Sequence, residues 1–200
     1  TYSAALLGAF VKANPLSSTP DTQFVISPGS FKSGRLGELD DFPGLTCGFW
    51  QMRPSSRGNV HLADPSPLTP PKIHTGYLTT QEDRDAVITG LKYARRLCQT
   101  DALSAYCEQE MIPGISACSD EELLQYARTN GSTVYHAVGT CKMGVDIDAV
   151  VNSKLKVRGI EGLRVVDASI MPNITSTNTN SATIMIAEKA SDMILQSMNE

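Results

Sequence analysis

The sequence lacks any long apolar run and any block of like charge. Its apolar runs, such as Ala4–Leu7 and Ile184–Ala187, are short, whereas a membrane-spanning helix needs about 20 apolar residues. Lys and Arg number 17 and Asp and Glu 21, which gives a net charge of −4 at pH 7. Neither a membrane span nor a basic surface for nucleic acid is therefore expected. With 41% hydrophobic residues among 200, the chain can bury a core in one domain or two.

The sequence also lacks the short motifs of metal, nucleotide and hydrolase sites. It contains no HExxH, HxH or CxxC pattern, and no GxSxG, Walker or GxGxxG pattern. A metal site is therefore not expected. The five cysteines are an odd number that cannot all pair within the chain, and we interpret them as small apolar side chains. Of the three histidines, His61 and His74 lie in contexts typical of a strand surface.

Alternating apolar residues predict several short strands. Gln23–Ile26 is one candidate, and the runs at 45–52 and 59–63 are separated by a turn that contains Pro and Gly. The two runs are therefore expected to pair as antiparallel strands. Two further short strands are predicted at 154–157 and 163–166.

Three segments carry the signals of helices. Thr79 with Glu82, and Ser119 with Glu122, have the spacing of a capping box, and each pair precedes apolar residues at helical intervals. A third helix is predicted over Ala182–Met198. Antiparallel strands combined with helices predict a chain of the α+β class.

His136 is the histidine whose surroundings suggest chemistry. It lies in the stretch Tyr135-His-Ala-Val-Gly-Thr-Cys-Lys-Met-Gly144, whose apolar flanks would bury the imidazole unless a polar group needed it. A neutral, partly desolvated imidazole is a good proton acceptor near pH 7. The residues alone leave this role open beside that of a hydrogen-bonded core histidine. Cys141 would need a nearby base to act as a nucleophile, and the sequence does not place it in contact with His136.

A polar segment before the last helix is the second unusual feature. A predicted strand ends near Asp167, and most residues from Asn173 to Thr183 carry an amide or a hydroxyl group. A helix entered in this way presents free backbone N–H groups and the positive end of its dipole. Such an end suits an anion or a ligand on which negative charge develops. A simple N-cap by Asn or Ser is the alternative.

The two stretches together resemble the C-terminal part of the glucose–methanol–choline (GMC) oxidoreductases, which are FAD-dependent enzymes that oxidise alcohols. The resemblance extends over nearly the whole chain and is long and ordered. It is carried by these segments: Phe42-Pro-Gly44, Pro54-Ser-Ser-Arg-Gly58, Asp64-Pro65, Tyr106–Gly114, Tyr135–Gly144, Ala149–Asn152, Lys156–Pro172, Asn178-Thr-Asn180 and Thr183–Ile194.

The resemblance implies a division of the chain into two parts. Residues 1–130 would form most of an antiparallel-sheet substrate domain, and residues 131–200 would be the C-terminal return of a Rossmann-like FAD domain. The GxGxxG unit that holds the pyrophosphate in that domain is not in this sequence. The resemblance therefore implies a fragment, a cleavage product or one subunit. The N-terminal FAD-binding portion would be a separate or missing partner chain.

The resemblance also implies roles for individual residues. His136 would accept the proton of the alcohol hydroxyl while hydride passes to flavin N5, which yields an aldehyde or ketone. Asn178 occupies the second active-site position, where an amide can hydrogen-bond the substrate oxygen but cannot act as a base. This asparagine is more similar to the branch that oxidises choline, medium-chain and aryl alcohols. Contacts to FAD would come from Tyr135, Asp167, Ala168, Thr179 and Asn180.

Two other functions remain open at this point. Some members of the family keep FAD as a structural part and cleave cyanohydrins, so a hydroxynitrile-type lyase is one alternative. A non-catalytic C-terminal fragment that requires a partner chain is the other. Bleaching of the flavin on anaerobic mixing with an alcohol separates oxidation from lyase activity, because a lyase leaves the flavin oxidised.

We predict that the 200-residue chain by itself binds FAD weakly or not at all, because it contains no pyrophosphate-binding unit. Titration of the isolated chain with FAD, followed by flavin fluorescence, measures this affinity. Purification of the chain with one equivalent of FAD and no second polypeptide would contradict the prediction.

Overall fold

The computed structural model describes residues 7–32, 38–176 and 178–198. The chain divides into two compact units, each built from two stretches of sequence. Unit 1 comprises Thr1–Ser56 and Tyr77–Val134, and unit 2 comprises Arg57–Gly76 and Tyr135–Glu200. The described residues form antiparallel sheets and helices, which confirms the α+β prediction. The functional division at residue 130 stays a prediction.

An antiparallel sheet of three strands opens unit 1. Its strands are β1 (Leu7–Val11), β2 (Thr22–Ser27) and β3 (Thr46–Gln51), and β2 lies in the centre. Alternate residues of β2 are buried, as expected for a strand with one face on a core. Phe24, which is 1% exposed, pairs with Ala9 and Phe49 on its neighbours. The strand predicted at Gln23–Ile26 is confirmed.

Three helices complete unit 1: α1 (Gln81–Cys98), α2 (Asp101–Ser104) and α3 (Asp120–Asn130). Helix α1 packs on β3, and a Cβ atom at Gly90 would lie 2.0 Å from the ring of Phe49. Glycine in the helix therefore allows the aromatic ring to approach the backbone. On the side toward α3, Ile88 of α1 packs with Leu123 and Leu124 of α3 in a buried hydrophobic cluster.

The helix starts agree with the sequence at one position and differ at the other. Ser119 and Glu122 form the predicted capping box of α3. The prediction of a cap at Thr79 with Glu82 was wrong by one residue, because Thr80 is the N-cap of α1 and accepts from the backbone N–H of Asp83 at 3.3 Å. Asp83, rather than Glu82, faces the interior at 3% exposure.

Asp83 joins α1 to the segment that follows β3. Its two carboxylate oxygens accept the backbone N–H groups of Ser55 at 2.9 Å and Ser56 at 2.8 Å. Burial alone would raise the pKa of Asp83, but the hydrogen bonds from Ser55, Ser56 and Gln51 together outweigh burial and hold the pKa below its ordinary value. A carboxylate that binds two backbone donors fixes the path of this segment, which lies outside the strands.

These bonds also account for a wrong prediction about strand pairing. Residues 45–52 and 59–63 do not pair with each other, since β3 pairs with β2 and β4 (Asn59–His61) pairs with β5 (Lys72–His74). The N–H groups after β3 bind the carboxylate of Asp83, and the chain cannot fold back on β3 as a hairpin.

Strands β4 and β5 form a small closed hairpin within unit 2. A Cβ atom at Gly58 would lie 2.2 Å from the carbonyl oxygen of His74, and one at Gly76 would lie 2.0 Å from that of Arg57. Gly76 also has a φ of +64°, which favours glycine. At the two ends of this hairpin segment, Arg57–Gly76, the backbone atoms are therefore in close contact with each other.

The core of unit 2 lies under helix α4 (Asn180–Met198). The helix predicted at 182–198 is confirmed, and it starts two residues earlier. Ile186 and Ala190 on its inner face pack with buried residues of the loops and of the short 3₁₀ helix Ala168–Ile170. These are Val151, Leu155, Ile170 and Met171.

The strands predicted at 154–157 and 163–166 are wrong as continuous strands. The segments contribute only single bridges, Val151 with Val157 and Lys156 with Arg164. Leu155 has a φ of +61° and Gly162 a φ of +74°. These left-handed residues break the extended backbone that a longer ladder requires.

Within the described part of the chain, no helix has the length and apolar content needed to cross a membrane.

Replacing Asp83 tests the carboxylate bridge. We expect Asp83→Asn to lower the free energy of unfolding by about 1–3 kcal/mol at pH 7, because a buried N–H group loses its acceptor. A pKa below the ordinary value in the folded state means that the stabilisation is present above the unfolded-state pKa. It is lost as the pH falls through the folded-state pKa. Thermal unfolding of parent and variant between pH 7 and pH 3 should therefore show a difference that shrinks below about pH 4.

The control is Asp85→Asn on the same helix. Asp85 is exposed and accepts from Gln81, so this change should have little effect. Equal unfolding temperatures for the two variants at pH 7 would contradict the role of Asp83.

Candidate functional site

His136 lies near the start of the second stretch of unit 2. Tyr135 before it has a φ of +60° and is 77% exposed, whereas His136 itself is half-buried. A left-handed backbone is unusual for a bulky residue and is typical of constrained positions in functional sites. Gly139 has a φ of +88°, and a Cβ atom there would lie 3.3 Å from the carbonyl oxygen of Met171. The backbone of residues 135–144, which we call the His136 segment, therefore lies close to the backbone near residue 170.

Backbone hydrogen bonds join this segment to the 3₁₀ helix. The N–H of Cys141 donates to the carbonyl of Ser169 at 3.0 Å, and the N–H of Met143 donates to that of Ile170 at 2.8 Å. Asp167 caps the 3₁₀ helix by accepting the N–H of Ser169 at 2.8 Å. The residues between the 3₁₀ helix and α4 carry many amide and hydroxyl groups, and we call them the polar loop. The backbone bonds bring the His136 segment beside the start of this loop.

The polar loop is held at its beginning by the hairpin segment of unit 2. Arg57 donates from Nη2 to Oδ1 of Asn173 at 2.5 Å. Ser176 has a φ of +64°, and Thr177 lies outside the described residues. The loop ends at Asn178, which is exposed, and at Thr179, which is 8% exposed and directly precedes α4.

The imidazole of His136 contacts both residues at the end of this loop. Nδ2 of Asn178 lies 2.9 Å from Nε2, and Oγ1 of Thr179 lies 3.2 Å from Nδ1. An amide nitrogen is only a donor, so Nε2 accepts from Asn178. The structure therefore brings together two residues predicted as catalytic, although 42 positions separate them.

The same contacts bear on Cys141. Both ring nitrogens of His136 are hydrogen-bonded to Asn178 and Thr179. The thiol of Cys141 therefore does not have the imidazole as its activating base. The N–H of Cys141 takes part in the backbone bonds that position the segment.

The other predicted site residues lie around this pair. Tyr135 is adjacent to His136, and Asn180 is the first residue of α4 and is exposed. Asp167 is exposed and Ala168 half-buried, and both belong to the start of the 3₁₀ helix. The structure gives Asp167 a capping role, and the hydrogen bonds of the His136 ring in the described part of the chain go to Asn178 and Thr179.

No cluster of three or more His, Cys, Asp or Glu side chains suited to a metal ion occurs in residues 7–32, 38–176 and 178–198.

A comparison with protein families gives one match, to the model described as GMC oxidoreductase, over residues 54–187. The match covers more than half of the chain and includes the whole loop and the His136 segment. The chain belongs to the GMC oxidoreductase family.

Curated relatives of this GMC oxidoreductase chain are dehydrogenases. It is 38% identical over its whole length to an alcohol dehydrogenase [acceptor] of Pseudomonas putida, of which it covers 36%. It is 37% identical to an oxygen-dependent choline dehydrogenase of Citrobacter koseri, over 94% of this chain and 33% of the relative. The chain thus spans about a third of the length of the curated relatives it matches.

Solved structures show the same fold. The chain is similar to pyridoxine 4-oxidase from Mesorbium loti, with a TM-score of 0.83 and 28% identity, over 94% of this chain and 37% of the other. It is also similar to a fungal aryl-alcohol oxidase, with a TM-score of 0.73 and 27% identity, over 91% of this chain and 28% of the other. In both comparisons this chain matches about a third of the other protein.

Two contacts of the candidate site were not evident from the sequence. The bond from Arg57 to Asn173 joins residues 116 positions apart, and no spacing rule connects them. The contact of the Thr179 hydroxyl with His136 was missed because Thr179 was interpreted only as a donor to FAD. Its position just before a helix was the one available signal, and that position usually indicates capping.

Proposed function

We propose that this chain supplies the proton acceptor and the substrate-hydroxyl contact of an enzyme that oxidises an alcohol to an aldehyde or ketone with FAD. The observation that carries the proposal is the 2.9 Å contact between Nδ2 of Asn178 and Nε2 of His136. Within this chain, Asn178 is exposed and His136 is half-buried.

The names of the relatives support an alcohol as substrate. Alcohol dehydrogenase, choline dehydrogenase, pyridoxine 4-oxidase and aryl-alcohol oxidase are all named for compounds that carry a CH–OH group. The asparagine at position 178 favours the choline, medium-chain and aryl-alcohol branch. A residue that donates without titrating suits a hydroxyl substrate, because it does not compete with the histidine for the proton.

The two side chains are arranged to handle a hydroxyl group. Nε2 of His136 accepts, and the amide of Asn178 donates. A substrate hydroxyl that replaces the direct bond between them can donate its proton to Nε2 while its oxygen accepts from the Asn178 amide. Neither side chain has to reverse its donor or acceptor role when substrate enters. As the proton moves to His136, the amide N–H stabilises the negative charge that develops on the oxygen.

The donors near α4 fit the end of a flavin on which negative charge increases during reduction. The first backbone N–H groups of a helix have no partner within it, and α4, with 19 residues, begins at Asn180. Its positive dipole end and the neutral side chains of Asn178 and Asn180 suit such a charge. We assign Tyr135, Asp167, Ala168, Thr179 and Asn180 to FAD binding. FAD, when bound, supplies the acceptor for the hydride of the alcohol.

We also propose the division of labour along the chain that the family resemblance implies. Residues 1–130 would contribute to substrate binding, and residues 131–200 would complete the FAD domain. The remainder of that domain would come from a polypeptide portion equivalent to the two thirds of the relatives that this chain does not span. A lyase of the same family is the alternative, and anaerobic flavin bleaching by an alcohol separates the two activities.

Removing the imidazole tests the proton acceptor. In the complete enzyme, His136→Ala should slow anaerobic flavin reduction by about 10²–10⁴-fold, because a positioned general base contributes that much. Substrate affinity should change less. Stopped-flow absorbance of the flavin over a range of alcohol concentrations gives both quantities. Reduction at the parent rate would remove His136 from the mechanism.

Changing Asn178 tests the division of roles. Asn178→Ala should slow flavin reduction with a loss of about 0.5–3 kcal/mol, the contribution of one hydrogen bond to a polar or charged group. Asn178→His should retain partial activity, since an imidazole can also donate. The measurement is flavin reduction against pH for the parent and both variants. The alanine variant should retain the ionisation of the parent, and loss of that ionisation would show that Asn178 is linked to the base itself.

A further inference from the structure

Thr179 holds the position from which a hydroxyl normally caps a helix, and its hydroxyl has another partner. In unit 1, Thr80 and Ser119 directly precede α1 and α3, and their hydroxyls accept from backbone N–H groups three residues on. Thr179 precedes α4 in the same way. Among the described residues, its side chain makes no such bond, and Oγ1 lies 3.2 Å from Nδ1 of His136 instead.

Burial makes this contact necessary for the hydroxyl. Thr179 is 8% exposed, and a buried hydroxyl without a hydrogen bond is costly. The backbone carbonyl of Thr179 accepts from both the N–H and the hydroxyl of Thr183. Thr179 is therefore fixed at the helix start by its main chain, while its side chain is directed at the imidazole.

The two contacts of His136 together define which ring nitrogen carries the proton. The amide nitrogen of Asn178 can only donate, so Nε2 accepts. A neutral imidazole then carries its proton on Nδ1, and Oγ1 of Thr179 is the acceptor on that side. We propose that Thr179 is a positioning residue that fixes the proton of His136 on Nδ1 and so keeps Nε2 unprotonated, which allows it to accept the proton of the substrate.

The proposal rests on the proposed function in one respect, namely that Nε2 is the atom that accepts the proton. Transfer of the proton from the hydroxyl to Nε2 turns His136 into an imidazolium with a proton on each nitrogen. The bond from Nδ1–H to Oγ1 then becomes charge-assisted and stronger. Thr179 thus acts on the rate through His136 and does not touch the reacting atoms.

The test uses the complete enzyme with FAD, in the parent form and as Thr179→Val, Thr179→Ser and Ser191→Ala. Valine keeps the shape of threonine without the hydroxyl, and serine keeps the hydroxyl. Ser191→Ala removes a hydroxyl from the same helix, where it donates to the carbonyl of Ala187 at 2.9 Å. The first measurement is the ¹⁵N chemical shifts of the histidine side chains in the resting enzyme, with the His136 signal identified by its absence in His136→Ala.

The parent should carry the His136 proton on Nδ1, and Thr179→Val should lose that preference. In steady-state kinetics, kcat should fall about 10- to 100-fold in Thr179→Val, as for the loss of a hydrogen bond to a charged group. KM should change about twofold or less, because the substrate contacts remain. Thr179→Ser should restore both the tautomer and most of kcat, and Ser191→Ala should match the parent.

A parent proton on Nε2, or an unchanged tautomer in Thr179→Val, would overturn the proposal. A fall in kcat that serine does not restore would also overturn it, since the hydroxyl would then not be the active feature. A Thr179→Val variant that fails to fold leaves the tautomer of the parent and of Thr179→Ser as the deciding measurements. Failure of the proposed function shows differently, as an unchanged rate of flavin reduction in His136→Ala.

Discussion

The hydrogen bonds between residues 141–143 and residues 169–170 are the constraint on which the candidate site depends. They join the segment that carries His136 to the turn that begins the polar loop. The loop then needs only a few residues to bring Asn178 and Thr179 onto the imidazole. These backbone bonds do not involve a ligand, so the chain itself brings His136 and Asn178 together.

Conformational strain accumulates around this constraint. Tyr135 and Ser176, two residues without the freedom of glycine, adopt left-handed backbone conformations close to His136 and Asn178. Such conformations cost free energy and persist only where the surrounding structure enforces them. Both residues belong to unit 2, whose core under α4 contains Val151 at 0% exposure and Ile170 at 2%.

The sequence predicted the elements that depend on local signals. The capping box at Ser119, the alternation around Phe24 and the helix that ends at Met198 follow from residues a few positions apart, and the structure agrees. Local signals did not predict the pairing of β3, the cap at Thr80 or the broken ladder around Leu155. Each of these is decided by a distant partner or by a residue with a left-handed backbone. In the site, the motif resemblance selected His136 and Asn178, but the atoms that meet could be seen only in three dimensions.

The discontinuous make-up of the units has a consequence for synthesis on the ribosome. The hairpin segment Arg57–Gly76 belongs to unit 2, whose second stretch starts at Tyr135. About 60 residues must be made between the two, which takes roughly 3–12 s at ordinary elongation rates. During that interval Asn173, the loop residue that Arg57 binds in the finished fold, has not yet been made. An isolated two-stranded hairpin is at best marginally stable, so the β4–β5 pairing gains its partners in unit 2 only after the second stretch has been synthesised.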